Sequence, residues 1–152
     1  MRNIWQKELT FPEDAYYSPE LLWARDLGEN KVRIGISDLG VKSVKKLIHI
    51  RIATSIDTEI KKGDTLGFVE TSKMIWEIVT PLSGKLITKN KALNDGNPTI
   101  LVKDPYGEGW LVEIEKTSNT EDELKRLYKG NDAATKVWIL EQAQAIVPLE
   151  EE

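Results

Sequence analysis

The sequence predicts a mainly β protein, an all-β sandwich or flattened barrel of short strands with one short internal helix and a helical C-terminal tail. Three observations carry this expectation. Apolar and polar residues alternate in short runs, Gly, Pro and Asn turns separate the runs, and the alternation ends in the last ~30 residues.

In chain order, Phe11, Tyr16-Tyr17 and Leu21-Leu22-Trp23 form two aromatic clusters around a Ser18-Pro19 turn or helix start. Asp26-Leu27-Gly28-Glu29-Asn30 reads as a hairpin turn leading into an alternating strand, Lys31 to Ile36. Ser37-Asp38 is an N-cap for a short helix through Val41 and Val44, and a strand over 47–52 follows. Lys61-Lys62-Gly63-Asp64 is a turn, Leu66 to Glu70 a strand, Thr71-Ser72-Lys73-Met74 a tight connection and Ile75 to Val79 a strand. Pro81-Leu82-Ser83-Gly84 turns into a strand over 85–88. Asn94 to Pro98 and Asp104 to Gly109 are further turns, and Trp110 to Ile114 closes the sheet.

The tail reads as two helices. Thr120-Glu121-Asp122-Glu123 is a capping box for a helix to about Tyr128, stopped by Lys129-Gly130-Asn131. Asp132 caps a second helix carrying Val137, Trp138 and Leu140, expected to end before Pro148.

Composition excludes several functions. About 40% of the 152 residues are apolar, enough for a packed core. A net charge of −4 and a pI near 5.2 argue against nucleic acid as a partner, since binding a phosphate backbone rests on a basic stripe. No apolar run approaches the ~18 residues that span a bilayer, so no membrane partner is expected. Met1 to Thr10 has no apolar core of signal-peptide length, and the default expectation is a cytoplasmic protein. With no cysteine, disulfides, thiolate catalysis and Cys-based zinc sites are out. His49 is the only imidazole, and no nucleophile elbow accompanies it. The expectation is a protein that is not an enzyme by itself.

Lys73 is the candidate functional residue. In a hairpin connection its amine stands in water on a base held by two strands. Acylated there, it becomes a tether reaching roughly a dozen Å. An exposed turn lysine alone is ordinary solvation, and only its surroundings change that. Val69-Glu70-Thr71-Ser72-Lys73 followed by Pro81-Leu82-Ser83-Gly84 resembles the modification hairpin of biotinyl and lipoyl domains. Glu70 stands three before the lysine and Gly84 eleven after it, the family spacing for recognition by the modifying enzyme. Met74 follows the lysine but Ser72 precedes it, which disfavours biotin.

The longer pattern is more specific. Tyr17-Ser18 with Trp23, Gly35-Ile36-Ser37-Asp38, Lys62-Gly63-Asp64 and Asp104-Pro105-Tyr106-Gly107-Glu108-Gly109-Trp110 together resemble the H-protein of the glycine cleavage system, in register from about Tyr16 to Glu115. The resemblance implies a hybrid-barrel β-sandwich of the lipoyl/biotinyl type over residues 1–117, including an N-terminal extension. Residues 118–152 are then a helical tail packed on the same domain. It further implies covalent lipoate on Lys73, with Glu70 and Gly84 as lipoylation-recognition positions. The implied partners are a lipoate ligase or lipoyl transferase, dihydrolipoamide dehydrogenase, and enzymes between which the arm shuttles a thiol-bound intermediate.

Departures from the family pattern affect which enzymes those are. The family's His-Glu pair before the tryptophan is Leu21-Leu22 here, and the glutamate that would hold the amine of an aminomethylated arm is gone. Lys45-Lys46 replaces a Gly-Asp and, with Lys42, makes a basic cluster. Trp76 is also unusual, as core or as an exposed anchor beside the arm. The missing glutamate predicts weak support of glycine cleavage. It tilts the expectation toward a lipoate-binding protein of cytoplasmic sulfur oxidation, working with a heterodisulfide-reductase-like complex. The alternative is the glycine cleavage H-protein carrying the aminomethyl group. A third class, an unlipoylated interaction module, sits poorly with intact Glu70, Lys73 and Gly84.

Overall fold

Two antiparallel sheets face each other across one apolar core in the computed structural model, which describes residues 9–43, 46–93 and 96–150, with side chains to 142. The strands are β1 (Tyr16–Tyr17), β2 (Leu22–Gly28), β3 (Lys31–Ile36), β4 (Leu47–Ile52), β5 (Glu59–Ile60), β6 (Thr65–Thr71), β7 (Ile75–Val79), β8 (Gly84–Lys89), β9 (Val112–Glu115) and β10 (Tyr128–Lys129). The helices are α1 (Asp38–Lys42), α2 (Thr99–Lys103), α3 (Thr120–Lys125) and α4 (Ala133–Glu150), with a 3-10 turn at Lys91–Leu93. The larger sheet runs β10-β1-β2-β3-β9-β8-β5 and the smaller β4-β6-β7.

Alternation along the strands makes the sandwich. Ala24, Val32, Ile34, Leu86, Val112 and Ile114 of the larger sheet meet Ile50, Leu66, Val69 and Ile78 of the smaller one in a single cluster. A second, aromatic cluster of Tyr17, Trp23 and Tyr106, with Phe11, Trp110, Tyr128 and Trp138 against it, fills the other face of β1 and β2. Its polar tips are satisfied: the Tyr17 hydroxyl donates to the Pro12 carbonyl at 2.6 Å, and Trp23 Nε1 donates to the Pro105 carbonyl at 3.0 Å. Burial pushes the Tyr17 and Tyr106 phenols well above their ordinary range, so both stay neutral donors. The 104–110 segment that carries the family resemblance is thus anchored to β2 and α1. The β2–β3 hairpin turns through Glu29 and Asn30, both at positive φ, as its twist requires.

The expected strands and the Ser37 cap are present; Ser37 Oγ accepts from Gly40 N at 3.2 Å. Val44, Lys45, Asn94 and Asp95 lie outside the described residues. Several expectations are corrected. Trp110 precedes the last long strand, which spans Val112–Glu115, and stacks under Arg33, whose guanidinium carbon is 4.7 Å from the ring centroid. The capping box does not form: Asn119 occupies the cap position, and Thr120 Oγ1 donates to the Ser83 carbonyl instead. Glu123 accepts from Ser83 N at 2.6 Å and from Ser83 Oγ at 2.7 Å, so buried partners across the fold outcompete the local cap. That helix ends at Lys125, because Tyr128 and Lys129 pair with β1. The last helix continues through Pro148 to Glu150; near a helix end a proline disturbs only the final turns.

Candidate functional site

The connection between β6 and β7 is held by one side chain. Thr71, at the end of β6, is buried, and its Oγ1 accepts from Lys73 N at 3.2 Å and from Met74 N at 3.0 Å while donating to the Met74 carbonyl at 3.0 Å. Thr71 N also donates to the Met74 carbonyl at 2.8 Å, closing the turn. From outside, Ser72 N donates to the Lys46 carbonyl at 3.1 Å, which fastens the turn to the loop before β4. With its backbone fixed this way, Lys73 is exposed at the tip.

Glu70 is exposed on the outward face of β6, opposite His49 on one side and Ile75 on the other. Gly84 is buried at the start of β8. A Cβ there would lie 2.8 Å from the Glu115 carbonyl oxygen and 2.8 Å from Ile114 Cδ1. Close sheet packing therefore demands glycine at 84 independently of any recognition by an enzyme. Glycine is also required at 67 in β6, where a Cβ would lie 2.0 Å from the Arg51 carbonyl oxygen of β4.

The arrangement holds an amine out at the tip of a fixed turn. Among the described residues no group of three or more His, Cys, Asp or Glu could hold a metal ion, and no helix is long and apolar enough to cross a membrane.

The comparisons agree with this geometry. The family model described as glycine cleavage H-protein matches residues 15–138. The glycine cleavage system H protein of Mycobacteroides abscessus is 36% identical over 107 residues, covering 70% of this chain and 80% of that one. The Mycobacterium tuberculosis H protein is 35% identical over 108 residues, covering 71% and 79%. A crystal structure of a glycine cleavage system H protein from Mycobacterium marinum superposes with a TM-score of 0.68 at 24% identity, over 84% of this chain and 97% of that one, and shows the same fold.

The chain belongs to the glycine cleavage H-protein family.

Members of this family carry lipoate on a lysine and are non-catalytic components, so this H-protein is a carrier and not an enzyme. Its departures from the family pattern have structural explanations. Leu22 is 1% exposed and lies in the main core against β3, so it fills volume and lines no surface that an arm on Lys73 could meet. Leu21 occupies the turn before β2 at φ 70°, and its carbonyl accepts from Ser37 N and Ser37 Oγ. Trp76 faces inward opposite Val69 and packs half-buried against the core, which corrects the exposed-anchor reading. Within the basic cluster, Lys42 pairs with Asp38 at 3.4 Å and Lys46 is exposed beside the hairpin.

Sequence reasoning missed Thr71. A β-branched hydroxyl residue at a strand end, two before a turn residue, was the available signal. It also missed a bulge in β4: Leu47 pairs with Thr71 and His49 with Glu70, so Ile48 is the extra residue. The bulge leaves both Ile48 and His49 on the surface next to the hairpin.

Proposed function

We propose that this H-protein is lipoylated on Lys73 and shuttles the aminomethyl group among the enzymes of glycine cleavage, with Glu70 and Gly84 guiding a lipoate ligase or lipoyl transferase. Dihydrolipoamide dehydrogenase reoxidises the arm in this reading, and the site of action is the cytoplasm. The observation that carries it is an exposed lysine on a hydrogen-bond-locked hairpin in a chain whose relatives are glycine cleavage H proteins. When bound, the lipoyl group would supply the disulfide that takes up the cargo and the dithiol that remains once the cargo is released. The protein supplies a rigid base, so the arm sweeps a defined volume and the cost of orienting it falls on the fold rather than on each encounter.

The sulfur-oxidation reading rested on the loss of the glutamate that would hold the amine of an aminomethylated arm. Leu22 stands in its place and lies in the core, while the reported relatives favour glycine cleavage over sulfur oxidation. On this reading glycine cleavage proceeds without a carboxylate at position 22, in place of the expected weakness. Exposed carboxylates nearer the hairpin, Glu70 and Glu77, remain available to a charged amine. The test is glycine–bicarbonate exchange by glycine-cleaving partner enzymes supplied with the lipoylated protein. Exchange at the level of a mycobacterial H protein is expected. Exchange no faster than without any H-protein, from fully lipoylated material, would refute glycine cleavage and leave the carrier reading standing.

A further inference from the structure

The free edge of β4, on the far side of the smaller sheet from β7, carries charges that the carrier reading does not use. A cavity of about 360 Å³ opens there between β4 and the end of β8, with His49, Arg51 and Lys89 along its wall. Among the described residues no carboxylate lines it, in a chain whose net charge is −4. Glu70, paired with His49 across the strands, lines another depression on the solvent face instead. Neither Arg51 nor Lys89 forms an ion pair with a described residue.

The groups around this cavity are held in place. Lys89 is half-buried, and its Nζ donates to the Ile52 carbonyl at 3.3 Å, which leaves the rest of the ammonium for another acceptor. Asn90, next in the chain, is buried with its amide donating to the Glu108 and Trp110 carbonyls at 2.7 and 2.6 Å, so the end of β8 that carries Lys89 is fixed. Ile50 N donates to the Gly96 carbonyl at 2.9 Å and draws the loop after Leu93 onto the edge of β4. Ile52 N, two residues along the strand, faces the same side and is a further donor. Gly96 has φ 82°, and a Cβ there would overlap the His49 ring at Nε2, so only glycine lets the loop close against the imidazole.

Two full positive charges, an imidazole and a backbone N–H around one open cavity call for a multiply charged anion. A monocarboxylate would balance one cation. A phosphate dianion balances both, and its oxygens accept from several directions at once. The volume admits a phosphate with a small organic group attached. A nucleic-acid backbone fits less well, since it follows a stripe of cations rather than a single cavity. We propose that this cavity binds the phosphate group of a small molecule, with Lys89 and Arg51 balancing its charge and His49 and Ile52 N donating to its oxygens. The site is independent of Lys73 and of what that lysine carries.

The experiment titrates the full chain with pyrophosphate, inorganic phosphate and succinate, at an ionic strength held constant with sodium chloride. Amide NMR shifts and the His49 imidazole signals are followed. Both phosphates should give saturable shifts at His49, Ile50, Ile52, Lys89 and Gly96, half-complete below about 10 mM, with succinate weaker. Arg51→Gln, at an exposed position, should keep the fold and weaken pyrophosphate binding by about tenfold or more. Lys89→Met, which keeps the stem and loses the charge, should do the same. Lys91→Gln, an exposed cation outside the cavity, should leave binding unchanged. Shifts still linear at that concentration would overturn the proposal, as would the same shifts from chloride alone or succinate bound as tightly as pyrophosphate. Shifts centred on residues 72–74, or wild-type binding by Arg51→Gln, would overturn it equally.

Discussion

Thr71 holds the lysine where an enzyme can reach it, and its hydroxyl can be removed with little change of shape. Thr71→Val deletes two accepted hydrogen bonds and one donated one at a buried position, at a cost of about 1–3 kcal/mol. Denaturant unfolding should show this loss, and the rate of lipoylation should fall as the turn loosens. Unchanged stability and loading rate would remove Thr71 from the account. Leu22 makes a contrasting case. Leu22→Glu restores the family's usual residue type, yet it would put an unpaired carboxylate into the main core, a loss of roughly 3 kcal/mol or more. A well-folded Leu22→Glu protein with wild-type stability would show that position 22 opens to solvent. At this scale the sequence singles out Lys73 as a candidate through spacing, because a family pattern is a one-dimensional signal. Whether Leu22 faces a cleft or a core is a packing property, and neighbouring residues along the chain do not encode it.

Five strands were legible because alternation and turn chemistry agreed about them: β3, β4, β6, β7 and β8 lie where the pattern puts them, whereas the seven-residue β2 reads in the sequence only as an aromatic cluster running into a hairpin turn. The two-residue strands β1, β5 and β10 carry no periodicity, and β10 exists because β1 offers it an edge. The false capping box around Thr120 has the same origin, since its hydroxyl and Glu123 were taken by Ser83. An ion cluster fastens this region to the sheet: Lys116 Nζ pairs with Asp26 at 2.9 Å and also with Glu121 in α3. Burial alone would raise the Asp26 carboxyl, but the hydrogen bonds from Lys116 and Gly28 N outweigh it and hold the group below its ordinary 3.8. Hydrogen bonds to Glu121 and Asp26 hold the Lys116 amine above its ordinary 10.5. The depressed acid stabilises the fold above the ordinary carboxylate range and loses that contribution as pH falls through its folded value. The raised base contributes below 10.5 and loses it as pH rises through its folded value. Thermal stability of Asp26→Asn should therefore fall less steeply than wild type between about pH 5 and pH 2. Parallel pH profiles would contradict the linkage.

Across the whole molecule, we propose that residues 118–152 fold as part of the same unit as residues 1–117. Tyr128 and Trp138 stack at 3.9 Å, β10 extends the larger sheet, and α3 grips the turn before β8. A single unfolding transition is expected by far-UV and tryptophan signals alike, and two separated transitions would refute one unit. This integration was only partly legible: helical spacing announced a tail, but no local pattern says which sheet edge it completes. The central claim concerns one residue in that frame, the lysine that the fold holds out. Its most direct test is loading the full chain with a lipoate ligase, followed by intact mass and peptide mapping. The account predicts one lipoyl group, on Lys73, and none on Lys73→Arg, which keeps the charge but not the amine. A lipoyl group on any other lysine, or on the Lys73→Arg protein, would contradict it.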